Sequence, residues 1–368
     1  MTVEGAITVR ISVDAGHVCR ADVSSTRLVT AAKVLAGRDP AEVKHLVPLL
    51  FPVCGVAQGV ACARAIEAAL GRPSGADVEI ARDVACLGEA AVSHVWQMAM
   101  TWPDASGSPT AIELVREARH ASARLHAAIF EDKGTDGLRS EIAEGDARDA
   151  IASLARVLSE LRTSASSLAA LVINEWREGF GRASAVTPTV AALDLEIVGA
   201  RLAADASFAD HPVLRGPIDV SAFARQRRRR VVADLEAEHG RGVLTRLAAR
   251  ALEANAVVDQ LGARLAALVA SRGSGEPELP HAISPAPGEG VGIADTARGP
   301  LVYRVTARSE LVDDVRVVAP TDWTFHPRGV LARGLEGAVA TPTLERDAGW
   351  FILSLDPCVP WKVEVHDA

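Results

Sequence analysis

Apolar positions recur every three to four residues over most of the chain. Val60, Ala63, Ile66 and Leu70 stand at helical spacing and stop at Gly71, a residue suited to a left-handed helix end. The same periodicity predicts helices over 26–37, 76–101, 109–130, 145–181, 188–205 and 218–272, the last broken near Gly240. A short helix is expected after Arg38-Asp39-Pro40, since proline suits a first turn. Residues 46–58 read as an apolar loop carrying Pro48, Pro52 and Cys54-Gly55. Alternation with period two predicts a hairpin over 4–24, strands over 300–308 and 312–318, and short extended pieces at 350–355 and 362–365. The stretch 271–290 is rich in Gly, Pro and Ser and reads as a linker. The pattern predicts an α+β protein, mainly helical, with small β elements at both termini. Its parts are 1–104 (hairpin and first cysteine segment), 105–270 (central helical bundle), 271–290 (linker) and 291–368 (C-terminal β segment with a second cysteine), packed as one compact unit.

Composition narrows the function classes. The 368 residues are 49% hydrophobic and only 4% aromatic, with formal net charge −8. That charge argues against general binding to nucleic acid or anionic membrane surfaces. No apolar run reads as a membrane span and no signal peptide is evident, so a cytoplasmic location is expected. Arg225, Arg227, Arg228, Arg229 and Arg230 form one basic cluster. It reads either as a solvated helix face balanced by Asp234, Glu236 and Glu238, or as a docking patch for an acidic partner.

Five cysteines, Cys19, Cys54, Cys62, Cys86 and Cys358, do not suggest a disulfide framework, and buried thiols are the default reading. Cys54 and Cys358 stand out because each sits in a loop beside Gly or Pro. Cys54 also precedes a helix, whose N-terminus is expected to lower a thiol pKa and favour the metal-binding thiolate. Neither belongs to a C-x-x-C pair, so neither is a metal motif alone.

The segments around them carry more. Val3-Glu4-Gly5-Ala6-Ile7, Gly37-Arg38-Asp39-Pro40, Val53-Cys54-Gly55-Val56-Ala57, Ala65 to Gly71, Asp295 to Leu301, Ala319 to Thr324 and Asp356-Pro357-Cys358 follow one another in a recognisable order. Together they resemble the large subunits of nickel–iron hydrogenases, over roughly 3–100 and 288–366. The resemblance implies a large-subunit-like helical bundle in which the two cysteine segments meet. In that family two C-x-x-C pairs hold nickel, and the second cysteine of each pair bridges to an iron carrying cyanide and carbon monoxide. Here the first cysteines remain as Cys54 and Cys358, while the bridging positions are Ala57 and Trp361. A methyl and an indole cannot ligate a soft metal through sulfur, and Trp361 is expected to fill space the metals occupy. Family positions for a histidine, an acidic residue and a final histidine fall at Ala61, Ala32 and Glu364.

What the resemblance leaves is a half-site. Arg298 and Thr321 match residues that face the iron's diatomic ligands, and Glu4 matches a proton-transfer glutamate. Each also has a structural alternative: an ion pair with Asp295 for Arg298, a turn cap for Thr321, a satisfied polar group for Glu4. The resemblance implies a degenerate member of the hydrogenase expression/formation HupK type, with no catalytic residues. Its expected role is to hold the iron–cyanide–carbonyl unit transiently, without nickel, alongside a hydrogenase large subunit and maturation chaperones. A metal-free interaction protein is the alternative, and an active hydrogenase a third reading that the lost bridging ligands oppose.

Overall fold

The hairpin forms because Ile7, Val9 and Ile11 alternate with exposed neighbours, burying one face. In the computed structural model, which describes residues 5–26, 29–176, 187–271 and 281–368, β1 (Ile7–Asp14) and β2 (His17–Ser25) are joined by Ala15-Gly16, both at positive φ. The C-terminal strand β7 (Trp361–Asp367) pairs in parallel with β1, setting Trp361 opposite Ile7. The two ends of the chain are thereby fixed side by side.

The helix expected over 26–37 is a 3-10 stretch, Val29–Leu35, because Gly37 and Arg38 tie the chain to Val312 through two backbone hydrogen bonds. Helix α1 (Pro40–Leu50) is capped by Asp39, which accepts from the Ala41 amide at 2.8 Å. The loop expected over 46–58 is absent. The chain passes from α1 through one 3-10 turn (Pro52–Cys54) straight into α2 (Gly55–Leu70). This tight junction needs glycine: a Cβ on Gly55 would stand 3.2 Å from the Pro48 carbonyl oxygen, and one on Gly59 3.0 Å from the Pro48 ring.

Then come α3 (Ala76–Trp96), a π turn into α4 (Trp102–Ser106), α5 (Ile112–Ile129), α6 (Glu144–Trp176) and α7 (Leu195–Ala204). The long helix expected over 218–272 is three: α8 (Ala222–Gln226), α9 (Arg230–His239) and α10 (Val243–Ala270). Gly240, at φ 72, makes the second break. Of the basic cluster, Arg225 and Arg227 are engaged by Glu253 and Glu236, and Arg228, Arg229 and Arg230 are exposed.

Part of the expected linker, 272–280, lies outside the described residues. The remainder, 281–290, is structured: β3 (Ala282–Ile283) and the start of β4 (Glu289–Thr296). With β5 (Gly299–Arg308) and β6 (Leu311–Val318) they form an antiparallel sheet ordered β3-β4-β5-β6. Short helices α11 (Pro320–Thr324) and α12 (Val330–Leu335) follow. The extended piece expected at 350–355 is the end of α13 (Leu344–Leu355), whose Leu344, Ala348, Phe351, Ile352 and Leu355 are all buried.

Glycine in β4 is a packing device. Ala61, Ala65 and Ala69 form a small-residue stripe on α2, and β4 lies directly on it. A Cβ on Gly292 would fall 2.4 Å from the Ala61 carbonyl oxygen, and one on Gly290 even closer to that of Ala65. Helix α2 is long and apolar enough, by length and composition, to pass for a membrane span with Pro52–Cys54 included. It is nonetheless mostly buried against this sheet, and it carries Arg64 and Glu67 in ion pairs, so it reads as a core helix.

Those ion pairs join α1, α2, α3 and the loop after α5. The fully buried Arg82 guanidinium meets Glu67, Glu79 and Asp136, and Lys44 also reaches Glu67 and Asp136. Burial pushes the Glu67 and Asp136 carboxyls up, but Arg82 and Lys44 outweigh it and hold both below their usual range. A carboxylate with a depressed pKa stabilises the fold above its unfolded value, and that stability is lost as pH falls through the folded one.

Two outcomes are expected. Gly292→Ala should destabilise by about 3 kcal/mol, because backbone rather than a side chain must yield; urea unfolding measures it. Arg82→Met should cost about 3 kcal/mol at pH 7, because Glu67 loses its buried guanidinium partner and keeps only Lys44 among its ion-pair partners. Its deficit relative to the parent should begin to shrink as pH falls below about 4, the unfolded carboxylate range, and go on shrinking through the parent's depressed values; unfolding free energies compared at pH 7 and pH 3 check this.

Candidate functional site

Three junctions deliver the residues singled out in the sequence to one place. Cys54 closes the 3-10 turn before α2 and serves as its N-cap residue. Cys358 lies in the short connection from α13 to β7, which β1 positions through the Ile7 amide bonded to the Pro360 carbonyl at 2.9 Å. Arg298 occupies the β4–β5 turn, where the Thr296 hydroxyl accepts from the Arg298 amide at 3.0 Å and donates to the Gly299 carbonyl at 2.9 Å. Thr321 lies in the first turn of α11.

Arg298 Nη1 donates to Cys54 Sγ at 3.4 Å, and its charge acts on Cys358 as well. Cys358 Sγ donates to the Thr321 hydroxyl at 3.7 Å. The other partner of Arg298 is Asp356 rather than Asp295. Nε reaches the Asp356 carbonyl at 3.2 Å and Nη2 its carboxylate at 3.3 Å. Asp295 instead is exposed and lines a cleft beside the β4–β5 turn. Thr321 is not the turn cap either; Asp322 accepts from the Ala319 amide at 2.7 Å.

Asp356 is the residue most underestimated from sequence. Fully buried and at φ 58, it ends α13 in the left-handed region. Its carboxylate takes Arg298, the Gln97 amide nitrogen, and Arg250 Nη1 at 2.7 Å. Glu89 was also missed. It accepts from the Val56 and Ala57 amides at 2.9 and 3.0 Å, holding the first turn of α2 and the backbone of the lost bridging position. A cleft of about 670 Å³ between α3 and α5 reaches it. Burial lifts the Glu89 carboxyl to about 7 against the opposing pull of the two amides and Arg298. The available signal for Glu89 was a charge beside Ala85, Cys86 and Val92 on its helix face.

Two expectations need correction. Burial, opposed by Arg298, pushes the Cys54 thiol up to about 12, so the helix N-terminus does not leave it a thiolate. Trp361 does not plug the site: its ring lies against Gly349 and lines a surface cleft with Thr101, Asp104 and Arg346. Ala57 is fully buried beneath the Glu89 contact. Ala61 and Ala32 are buried in the core, and Glu364 pairs with Arg10 and Lys362 on the surface. Glu4 lies outside the described residues. Cys62 and Cys86 are buried thiols raised by desolvation, and Cys19 is exposed.

Among the described residues, no group of three or more His, Cys, Asp or Glu is placed to hold a metal ion. The donor set therefore does not fit a four-thiolate nickel centre. What it offers is two thiols near a buried guanidinium, a group suited to anionic ligands.

Comparison with known proteins agrees with this geometry. A nickel-dependent hydrogenase domain matches residues 220–359. The Ni-Fe-Se hydrogenase of D. vulgaris Hildenborough superposes with a TM-score of 0.68 at 15% identity, covering 95% of each chain. The [NiFeSe] hydrogenase of Dm. baculatum gives 0.69 at 15%, covering 94% of each. Curated relatives align end to end. They include a hydrogenase expression/formation protein HupK of Azotobacter vinelandii (30% identity, 99% of both chains) and HupV of Azotobacter chroococcum (29%, 99% of both). HoxV of Cupriavidus necator is 27% identical over 100% of this chain and 98% of its own. On the large-subunit fold of nickel-dependent hydrogenases, the chain belongs to the hydrogenase expression/formation proteins of the HupK type.

Proposed function

We propose that this chain acts in the cytoplasm as a non-catalytic carrier or scaffold for an iron–cyanide–carbonyl unit, which it passes to a hydrogenase large subunit with the help of maturation chaperones. One observation supports the reading: Arg298 donates to the Cys54 thiol and its charge acts on Cys358, which itself reaches Thr321. The unit is cargo. Cys54 and Cys358 supply two sulfurs to its iron, and Arg298 and Thr321 face its anionic diatomic ligands. Without bridging sulfurs at 57 and 361, nickel lacks its seat and the iron stays exchangeable.

Loading must displace protons, since the Cys54 thiol is held neutral by burial. Two thiolates and one guanidinium then replace two thiols and one guanidinium, and the asymmetry favours a cargo with some positive charge at the metal. That same neutral thiol is what favours a second reading, a metal-free protein that holds hydrogenase subunits or chaperones through its large-subunit-like surface.

The test is anaerobic purification from cells making the other maturation proteins, followed by iron analysis and infrared spectroscopy. Cyanide and carbonyl bands are expected in the parent and lost in Cys54→Ser and Cys358→Ser. Iron occupancy should rise between pH 6.5 and pH 8.5, because proton release accompanies binding. An iron-free parent, together with unimpaired hydrogenase maturation by Cys54→Ser, would sink the carrier reading. Pull-down of hydrogenase components that survives the double cysteine variant would then support the second.

A further inference from the structure

Behind Asp356 lies a buried polar group of atoms that the site itself does not use. His94 is fully buried in α3, and neither ring nitrogen has a partner. Gln97, one helical turn on, gives its amide nitrogen to Asp356 and leaves Oε1 unpaired. Arg250 in α10 gives only Nη1 to Asp356, leaving Nε and Nη2 unpaired. Its charge is the strongest electrostatic influence on the His94 ring after burial itself. Buried polar atoms are nearly always paired, so five orphans on three neighbouring residues need an occupant.

The charges say which kind. Arg225 has its own carboxylate in Glu253, whereas Arg250 and Arg298 share the single carboxylate of Asp356. Those three groups together carry one formal positive charge, with Glu89 as a further carboxyl acting on Arg298. The unused Nε–Nη2 edge of Arg250 is a pair of parallel donors, the geometry that grips two oxygens of one carboxylate. Neutral imidazole offers one donor and one acceptor. His94, though not Arg250, lines a cleft of about 390 Å³ with Arg225, Asp295, Thr296 and Ala297, so a path from the surface reaches as far as the imidazole.

We propose that a small planar monoanion of the carboxylate type, formate or hydrogencarbonate, binds between Arg250 and His94 behind the Asp356–Arg298 pair. The oxygens take the two free guanidinium donors and the imidazole N–H. The O–H of hydrogencarbonate would in addition satisfy Gln97 Oε1, which formate cannot do. The site is separate from the sulfurs and does not depend on the carrier role.

The test uses the full apo chain. Thermal unfolding is followed as sodium formate or sodium hydrogencarbonate replaces sodium chloride at constant ionic strength and pH, and 13C NMR follows line broadening of each labelled anion. A saturable rise in melting temperature with one or both anions is expected, and the one that saturates at lower concentration identifies the ligand. His94→Leu deletes two unpaired buried nitrogens and should fold; it should weaken the effect at least tenfold. Arg250→Lys, which keeps the charge but loses the fork, should do the same if it folds, and His94→Leu decides if it does not. Cys54→Ser should keep the effect, which separates this site from the iron proposal. No anion-specific rise, or an equal rise in His94→Leu, would mean that the orphan atoms hold only water and would overturn the inference.

Discussion

The Asp356 carboxylate, buried at the left-handed end of α13, holds together four parts of the chain far apart in sequence. It takes Gln97 from the π turn after α3, Arg250 from α10 and Arg298 from the β4–β5 turn, while its own position follows from β7 pairing with β1. A buried carboxylate is tolerable only with such partners, and each guanidinium is tolerable only because the carboxylate is there. The contact also sets where Arg298 can point. One edge of its guanidinium is committed to Asp356, and Nη1 is left to face Cys54. The site is thus assembled from the inside, with the sulfurs at its outer edge.

A second constraint fixes the first sulfur. Helix α2 begins directly after Cys54 because Gly55 and Gly59 let it start against Pro48, and it is held close to β4 because Gly290 and Gly292 face its alanine stripe. Ala61 belongs to that stripe. The first turn of α2 is held by Glu89, whose carboxylate accepts from the Val56 and Ala57 amides, two of the groups that a helix N-terminus leaves without an intrahelical partner.

Electrostatics distinguish this half-site from an assembled metal centre. With a neutral Cys54 thiol beside Arg298, the pocket is poised to gain negative charge, by losing protons to a metal or by accepting an anion. The fold is that of hydrogenase large subunits, and the relatives that match end to end are named for hydrogenase expression and formation. An accessory role in hydrogenase assembly follows from that kinship, and the two-sulfur donor set agrees with it.

The sequence by itself determined the helical character, the N-terminal hairpin, the strands β5 to β7 and the kinship, because those rest on periodicity and on short motifs in order. It also placed Cys54, Cys358, Arg298 and Thr321 in one site through that kinship. It could not show that 281–290 belongs to strands rather than a linker, nor what Gly290 and Gly292 are for. Their purpose is a helix backbone over two hundred residues away, and glycine carries no local signal of strand. It misread 350–355 as extended because a short run of buried residues looks alike in helix and strand. It offered Asp295 as the structural alternative for Arg298, whereas the carboxylate found there, Asp356, comes from another element. The thiol pKa, the place of the Trp361 ring and the orphan atoms of His94 and Arg250 were likewise decided only by tertiary structure. Burial and charge pairing depend on which distant segments come to rest against one another.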